Sequence, residues 1–248
     1  MKLDKIKPKF INKSNPRIGL ITLGSDFRIE KDFNNVIYGK NIDLFVNRIH
    51  CYNPLTNETL AKMADDITKV TKEILPGEKL DCVAYGCTSG TIAAGYDSIE
   101  RKINLAKPKT KVTTPITSAI KILEKLNIKK ISVFTPYTQE INTSIIDYFK
   151  KYGINVKTLH YFDIASDIDI GKVDGNYLFD VLSNLNLDDS EALFISCTAL
   201  PALDLIDKLE KKFNKIILSS NQTLIWEALN LVGNKEIIKG YGKIFELH

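Results

Sequence analysis

The chain has 248 residues, of which 44% are hydrophobic and 26% are charged, and its formal net charge is +4. This composition is typical of a globular protein with one large domain or two small ones. Basic residues alternate with acidic ones along the predicted helices, and no basic run is interleaved with aromatic residues. The charge pattern therefore does not favour nucleic acid as a partner.

The N-terminal stretch and the cysteines indicate where the protein works. Residues 1–13 are rich in lysine without an apolar run, so we expect no signal peptide. No apolar run approaches the ~20 residues of a membrane span. The four cysteines lack the spacing of metal ligands, and without a secretion signal we expect no disulfide framework. We therefore expect a cytoplasmic protein with reduced thiols, no metal site and no membrane partner.

Apolar β-branched runs alternate with helical spacings along the whole chain. Strands are predicted at residues 17–23, 43–51, 80–84, 111–114, 130–135, 154–162, 192–196 and 215–219. Helices are predicted at residues 57–75, after residue 87, and at 116–126, 139–152, 175–187, 201–213 and 223–232. This alternation predicts parallel sheets joined by right-handed βαβ units.

The two halves of the chain match each other. Ile18 corresponds to Ile131, an offset of 113 residues, and Cys87 corresponds to Cys197, an offset of 110 residues. We therefore predict an α/β fold of two pseudo-symmetric lobes with parallel sheets. The first lobe is predicted at residues 1–115, completed by the C-terminal helix in residues 221–248, and the second at residues 116–220. The active site is expected in the cleft between the lobes.

Each half has a cysteine at the end of a predicted strand, and each cysteine precedes a predicted helix. Ligands bind at such strand ends in open α/β sheets, and a helix N-terminus there favours an anion. It also lowers the pKa of a thiol. Cys87 and Cys197 would then face each other across the cleft as base and acid. A proton could leave one face of a carbon and arrive on the other without a cofactor.

Each of these residues also has a purely structural alternative. A free cysteine often behaves as a small buried hydrophobe, and we apply that interpretation to Cys51 and Cys82, which lie within apolar strand patterns. The polar residues near the strand ends could act only as helix caps. This alternative holds for Thr88, Ser89, Thr198, Asp26 and Asp167.

Five segments together resemble the aspartate/glutamate racemase superfamily, and within it the maleate cis-trans isomerases, arylmalonate decarboxylases and ectoine-utilisation proteins. They are residues 20–30, Tyr85-Gly-Cys-Thr-Ser-Gly-Thr91, Phe134-Thr-Pro-Tyr137, Ile195-Ser-Cys-Thr198 and residues 219–226. The resemblance covers almost the whole chain. It implies a cofactor-independent isomerase or racemase that acts on a small carboxylate.

Position by position, the resemblance implies that Cys87 and Cys197 are the catalytic cysteines. Thr88, Ser89 and Tyr137 match hydroxyl groups that hold a substrate carboxylate. The further predicted substrate contacts are Ser25, Asp26, Asp167 and Thr198. Arylmalonate decarboxylases typically have glycine where Cys87 stands, so this residue favours isomerisation over decarboxylation.

Two aspartates depart from the maleate isomerase pattern, which has asparagines where Asp26 and Asp167 stand. An asparagine amide donates hydrogen bonds to a carboxylate, whereas an ionised aspartate only accepts them. Two anions would repel a dicarboxylate, so the departure favours a substrate with an ammonium or amide group. Maleate remains an alternative substrate, and decarboxylation remains an alternative reaction. A two-lobed binding module is the non-enzyme alternative, and a homodimer is an alternative to a monomer.

Overall fold

A computed structural model describes residues 3–11 and 14–247. Residues 1, 2, 12, 13 and 248 lie outside the described part. Some of the residues for which we expect no signal peptide are therefore not described. The elements of the first half are β1 (Arg17–Leu23), α1 (Ile29–Ile37), β2 (Asp43–Ile49), α2 (Asn57–Met63), α3 (Ile67–Lys72), β3 (Cys82–Gly86), α4 (Thr88–Ala94), α5 (Tyr96–Ala106) and β4 (Lys111–Thr113).

The second half repeats this alternation. Its elements are α6 (Pro115–Lys125), β5 (Lys130–Thr135), α7 (Gln139–Lys151), β6 (Asn155–Tyr161), α8 (Asp167–Gly171), α9 (Gly175–Ser183), β7 (Ala192–Ile195), α10 (Ile206–Phe213), β8 (Ile216–Ser219) and α11 (Ser220–Leu231). None of the helices within residues 3–11 and 14–247 is long and apolar enough to cross a membrane.

The strands form two four-stranded parallel sheets with the same order. The first sheet runs β2-β1-β3-β4 and the second runs β6-β5-β7-β8. In each sheet the strand that ends at a cysteine motif pairs with the first strand of that half, through Ile18 opposite Cys82 and Ile131 opposite Ala192. The predicted α/β fold with two pseudo-symmetric parallel sheets is therefore confirmed.

The central strands are apolar throughout because helices cover both faces of each sheet. All five residues of β3 and all four residues of β7 are buried. A parallel strand buried on both faces has a continuous apolar sequence rather than an alternating one. This is why the sequence pattern found these strands, although β3 lies at Cys82–Gly86 and not at the predicted residues 80–84.

Helix α11 connects the second half back to the first. It starts in a capping box, in which the Ser219 hydroxyl accepts a hydrogen bond from the Gln222 N–H and the Gln222 side chain accepts one from the Ser219 N–H. The helix packs against α6, β3 and α1. The division into lobes at residues 115 and 220 stays a prediction.

Several predicted boundaries are wrong. The helix predicted at residues 57–75 is interrupted by a 3₁₀ turn at Ala64–Asp66, where two consecutive aspartates disfavour a helix interior. The strand predicted to reach Cys51 ends at Ile49, where Gly24 donates the last backbone hydrogen bond to this edge. The helix predicted from residue 201 begins as a 3₁₀ turn at Leu203–Leu205.

Candidate active site

Cys87 lies where the sequence places it, at the junction of β3 and α4. Its side chain caps α4, because the sulfur accepts a hydrogen bond of 3.2 Å from the Gly90 N–H. The Ser89 hydroxyl lies 4.0 Å from the same sulfur. Since Cys87 is the cap, Thr88 and Ser89 are not the capping residues of this helix. Their hydroxyls are available for other contacts.

Cys197 follows β7 and has an unusual backbone. Its φ is 96°, in the left-handed region that a side chain disfavours. Such conformations persist only where the surrounding structure holds them. The Cys197 N–H donates a hydrogen bond of 3.0 Å to the Ser220 hydroxyl. A turn and the 3₁₀ segment Leu203–Leu205 follow, so the predicted helix N-terminus behind this cysteine is wrong.

Tyr137 brings the two cysteine motifs together. Its side chain is 2% exposed, and its hydroxyl interacts with the Cys197 thiol and the Ser89 hydroxyl. Burial raises the pKa of Tyr137 well above its ordinary value, and the charges of Cys197 and Cys87 raise it further. The hydroxyl is therefore a protonated donor between residues from both halves. Asn142 fixes the loop by donating to the Tyr137 carbonyl at 3.0 Å.

Two threonines connect the cysteine motifs across the two sheets. The Thr88 hydroxyl lies 2.8 Å from the Ser220 hydroxyl, which also accepts the Cys197 N–H. The Thr198 hydroxyl donates to the Gly86 carbonyl at 3.3 Å. The ends of β3 and β7 are therefore joined by one direct hydrogen bond, from Thr198 to Gly86, and by a second link through Ser220.

Asp26 and Asp167 form an acidic side of the site. One oxygen of Asp26 accepts hydrogen bonds from the backbone N–H groups of Arg28, at 2.7 Å, and Ile29, at 3.1 Å. Its second oxygen is buried without a hydrogen-bond partner in the part of the chain that the structure describes. Asp167 accepts a hydrogen bond from the Ser25 hydroxyl. The capping alternative therefore accounts for only one oxygen of Asp26.

Both carboxyl groups are harder to ionise than usual. Burial raises the pKa of Asp167 to about 6, the Ser25 hydrogen bond lowers it, and the charge of Asp26 raises it. Burial also raises the pKa of Asp26, and the backbone hydrogen bonds from Arg28 and Ile29 lower it less than burial raises it. Each can therefore exist as a neutral acid that donates or as an anion that accepts, depending on the ligand.

The surroundings of the two thiols do not favour the thiolate form. Burial raises the pKa of Cys87 to about 12, although the Gly90 N–H lowers it, and the charges of Asp167 and Cys51 raise it. Burial raises the pKa of Cys197 well above its ordinary value. The expectation that a helix N-terminus lowers the pKa of these thiols is therefore wrong, because the loss of hydration on burial outweighs that effect.

Three residues near the site were not predicted to belong to it. Cys51 lies beyond the end of β2, and its thiol interacts with Ser25. Its interpretation as a residue of the strand core is wrong, whereas that interpretation holds for the fully buried Cys82. Ser220 and Tyr85 both lie in segments that carry the family resemblance, and that location was the available signal.

The fold and the two linked cysteine motifs define a two-lobed α/β protein of the aspartate/glutamate racemase-like superfamily. The family model described as arylmalonate decarboxylase matches residues 39–245. The chain therefore belongs to the arylmalonate decarboxylase family.

Individual relatives within this family have two different activities. A maleate isomerase from Geobacillus stearothermophilus is 23% identical over 198 residues, which is 77% of this chain and 78% of the relative. An arylmalonate decarboxylase from Bordetella bronchiseptica is 23% identical over 137 residues, which is 54% of this chain and 57% of the relative.

A solved structure confirms the fold over almost the whole chain. It is a cysteine-to-serine mutant of the maleate cis-trans isomerase from Nocardia farcinica, with a covalently bound succinylcysteine intermediate. It superposes with a TM-score of 0.85 at 17% identity and covers 94% of this chain and 99% of that chain.

Proposed function

We propose that this protein is a cofactor-independent isomerase that acts on a small carboxylate, with Cys87 and Cys197 as its reactive groups. The observation that carries the proposal is the meeting of the two cysteine motifs, which are joined through Ser220 and by the Thr198–Gly86 hydrogen bond, next to the buried Tyr137 hydroxyl. A small substrate bound beside this hydroxyl would contact one cysteine from each half of the chain.

The chemistry follows from two thiols on opposite sides of one carbon. One cysteine, as thiolate, removes the proton next to the substrate carboxylate, and the other, as thiol, donates a proton to the opposite face. The charge that develops on the carboxylate is held by the hydroxyls of Thr88, Ser89 and Tyr137. Losing one such donor typically costs about 3–4 kcal/mol of transition-state stabilisation.

The acidic side of the site supports a substrate with an ammonium or amide group. Asp26 and Asp167 are both buried, at 1% and 2% exposure, and each has a raised pKa. A bound cation would lower the pKa of both carboxyls and of the two thiols, because an opposite charge opposes the effect of burial. Substrate binding would thus help to form the thiolate that burial disfavours.

The test is hydrogen exchange in D₂O with a panel of amino acids and dicarboxylic acids, followed by NMR. We expect deuterium at the carbon next to the carboxylate for a compound with an amino or amide group. The double variant, with Cys87→Ser and Cys197→Ser in one chain, provides the negative control because it lacks both thiols. If no compound in the panel is exchanged or isomerised, the isomerase proposal fails and a binding module is favoured.

A decarboxylase is the second candidate, since the matching family model is described as arylmalonate decarboxylase. The reaction would be recognised by release of carbon dioxide from a substituted malonate in the same panel. Cys87 argues against this alternative, because a decarboxylation with one proton donor leaves the second thiol without a role.

A further inference from the structure

Tyr85 is a buried tyrosine beside the first cysteine. It lies on β3, two residues before Cys87 and opposite Ile21 of β1. Its side chain is completely buried, and its hydroxyl has no hydrogen-bond partner within residues 3–11 and 14–247. A buried hydroxyl without a partner destabilises a fold relative to an apolar group of the same shape. Phenylalanine would therefore be the better residue here if only packing mattered.

The Tyr85 hydroxyl and the Cys87 sulfur lie near the same point of α4. A Cβ atom added to Gly90 would lie 2.7 Å from that sulfur and 3.0 Å from the hydroxyl oxygen. Both atoms therefore approach the same point on α4, and the absence of a side chain at Gly90 leaves room for them. Burial raises the pKa of Tyr85 well above its ordinary value, and the charge of Cys87 raises it further. The hydroxyl remains a donor.

The Cys87 sulfur needs such a donor when it is ionised. Its close hydrogen bond comes from the Gly90 N–H, and the Ser89 hydroxyl is more distant at 4.0 Å. The titratable groups around it are the Asp167 carboxyl and the Cys51 thiol, each of which disfavours a thiolate when it is ionised, together with the protonated hydroxyls of Tyr85 and Tyr137. A thiolate in this environment is stabilised only by hydrogen bonds.

We propose that Tyr85 is a positioning residue whose hydroxyl donates a hydrogen bond to the Cys87 sulfur when this sulfur is ionised. The role in turnover rests on the proposed function of Cys87. The hydrogen bond itself is a property of the protein without substrate and can be tested without an activity assay. Failure of this proposal can therefore be distinguished from failure of the proposed function.

The experiment compares the alkylation of Cys87 by iodoacetamide between pH 6 and pH 11 in wild type and Tyr85→Phe, read by mass spectrometry of the peptide that contains Cys87. We expect the alkylation rate of Tyr85→Phe to be about tenfold lower than that of wild type at each pH in this range, which lies below the pKa of the Cys87 thiol. Hydrogen bonds to a charged group have about this strength.

Tyr148→Phe is the matched control. The Tyr148 hydroxyl is also buried without a hydrogen-bond partner among the described residues, but its titratable neighbours are Tyr152 and Asp97 rather than a thiol. Its alkylation profile should equal that of wild type. An unchanged profile in Tyr85→Phe would overturn the proposal. Loss of folding in Tyr85→Phe, measured by thermal unfolding, would also overturn it, because the hydroxyl would then be a structural requirement.

Discussion

Three of the four cysteines surround the candidate site, and the fourth lies in the core of the first sheet. Cys87 and Cys197 follow the corresponding strands β3 and β7 of the two sheets, and Cys51 adjoins the acidic side through Ser25. Cys82 begins β3 opposite Ile18 and is completely buried. Their chemistry is the same, so their surroundings must determine their roles.

The first prediction separates catalytic from structural thiols. Cys87→Ser and Cys197→Ser replace a titratable thiol with a hydroxyl that stays neutral at pH 7, and each should lower turnover at least ~1000-fold. Thermal stability should stay close to wild type. Cys82→Ser buries a hydroxyl in the sheet and should lose about 1–3 kcal/mol of stability while keeping its kinetic constants. Similar behaviour of all three variants in both assays would show that the roles are assigned wrongly.

The second prediction concerns the charge of the acidic side. A dianion such as maleate should bind best when Asp26 and Asp167 are protonated. Since the pKa of Asp167 is raised to about 6, maleate inhibition should strengthen as the pH falls from 7.5 to 5. Asp26→Asn and Asp167→Asn should both bind maleate more tightly at pH 7.5, because an amide can donate where a carboxylate cannot.

The control for this experiment is a monocarboxylate inhibitor, whose binding should depend less on pH. Maleate inhibition that is independent of pH and of both substitutions would place the two aspartates outside the substrate site. Efficient turnover of maleate by the wild type would reverse the preference for an amino or amide substrate.

At the scale of elements, the N-terminus of α11 holds the two cysteine motifs in place. Ser220 accepts the Cys197 N–H and lies 2.8 Å from the Thr88 hydroxyl. If Ser220 donates to Thr88, the proton of the Thr88 hydroxyl remains free to point at the substrate carboxylate. Ser220 thus couples the left-handed backbone at Cys197 to the proposed carboxylate site.

The third prediction follows from this coupling. Ser220→Ala leaves the Cys197 N–H without its acceptor and releases Thr88, so kcat should fall about 10–100-fold with a smaller change in KM. Ser132→Ala is the matched control, because Ser132 makes a buried hydrogen bond of the same length, 2.8 Å, to Ser190 in the second sheet. It should lose similar stability without a change in kcat. Equal kinetic losses in the two variants would contradict the positioning role.

Helices α1 and α11 are linked by a buried acid. Asn221 donates a hydrogen bond of 2.7 Å to Asp32, and burial raises the pKa of Asp32 to about 7. Between pH 4 and pH 7 the folded state holds a proton on Asp32 that the unfolded state has lost. The free energy of unfolding therefore decreases as the pH rises through this window.

The fourth prediction uses Asp32→Asn, which removes this titration and keeps an acceptor for Asn221. The stability of the variant relative to wild type should increase by roughly 2–3 kcal/mol between pH 5 and pH 8. Urea unfolding at the two pH values measures the difference. A difference that does not change with pH would mean that Asp32 ionises normally in the folded protein.

The boundaries of helices and strands were predicted well only where a single periodic pattern of apolar residues ran between two segments that end such elements. Helix α1 was not predicted, although Ile29, Phe33, Val36 and Ile37 have helical spacing. The residues before it were interpreted only as a loop that contains Asp26. The turn after Cys197 was predicted as a helix because Pro201 is a common first residue of helices. The left-handed backbone of Cys197 had no sequence signal, since it depends on the distant Ser220.

At the scale of the whole molecule, the internal repeat determined most of the architecture. The two sheets have the same strand order, and the repeat of Cys87 and Cys197 predicted the convergence of their motifs, which the hydrogen bonds of Ser220 to Thr88 and Cys197 show. The raised thiol pKa values were not predictable in this way. They depend on how completely both halves exclude water from the site, and burial of this kind is a property of the assembled fold.

The central claim is that each half of the molecule contributes one thiol to opposite faces of the same substrate carbon. Hydrogen exchange in D₂O by the two single-thiol variants, Cys87→Ala and Cys197→Ala, tests it most directly with the substrate found in the panel. Each variant should lose inversion, and each should retain exchange with one enantiomer only, because the remaining thiol reaches one face. The account predicts opposite enantiomers for the two variants. Exchange of the same enantiomer by both variants, or inversion by either one, would contradict it.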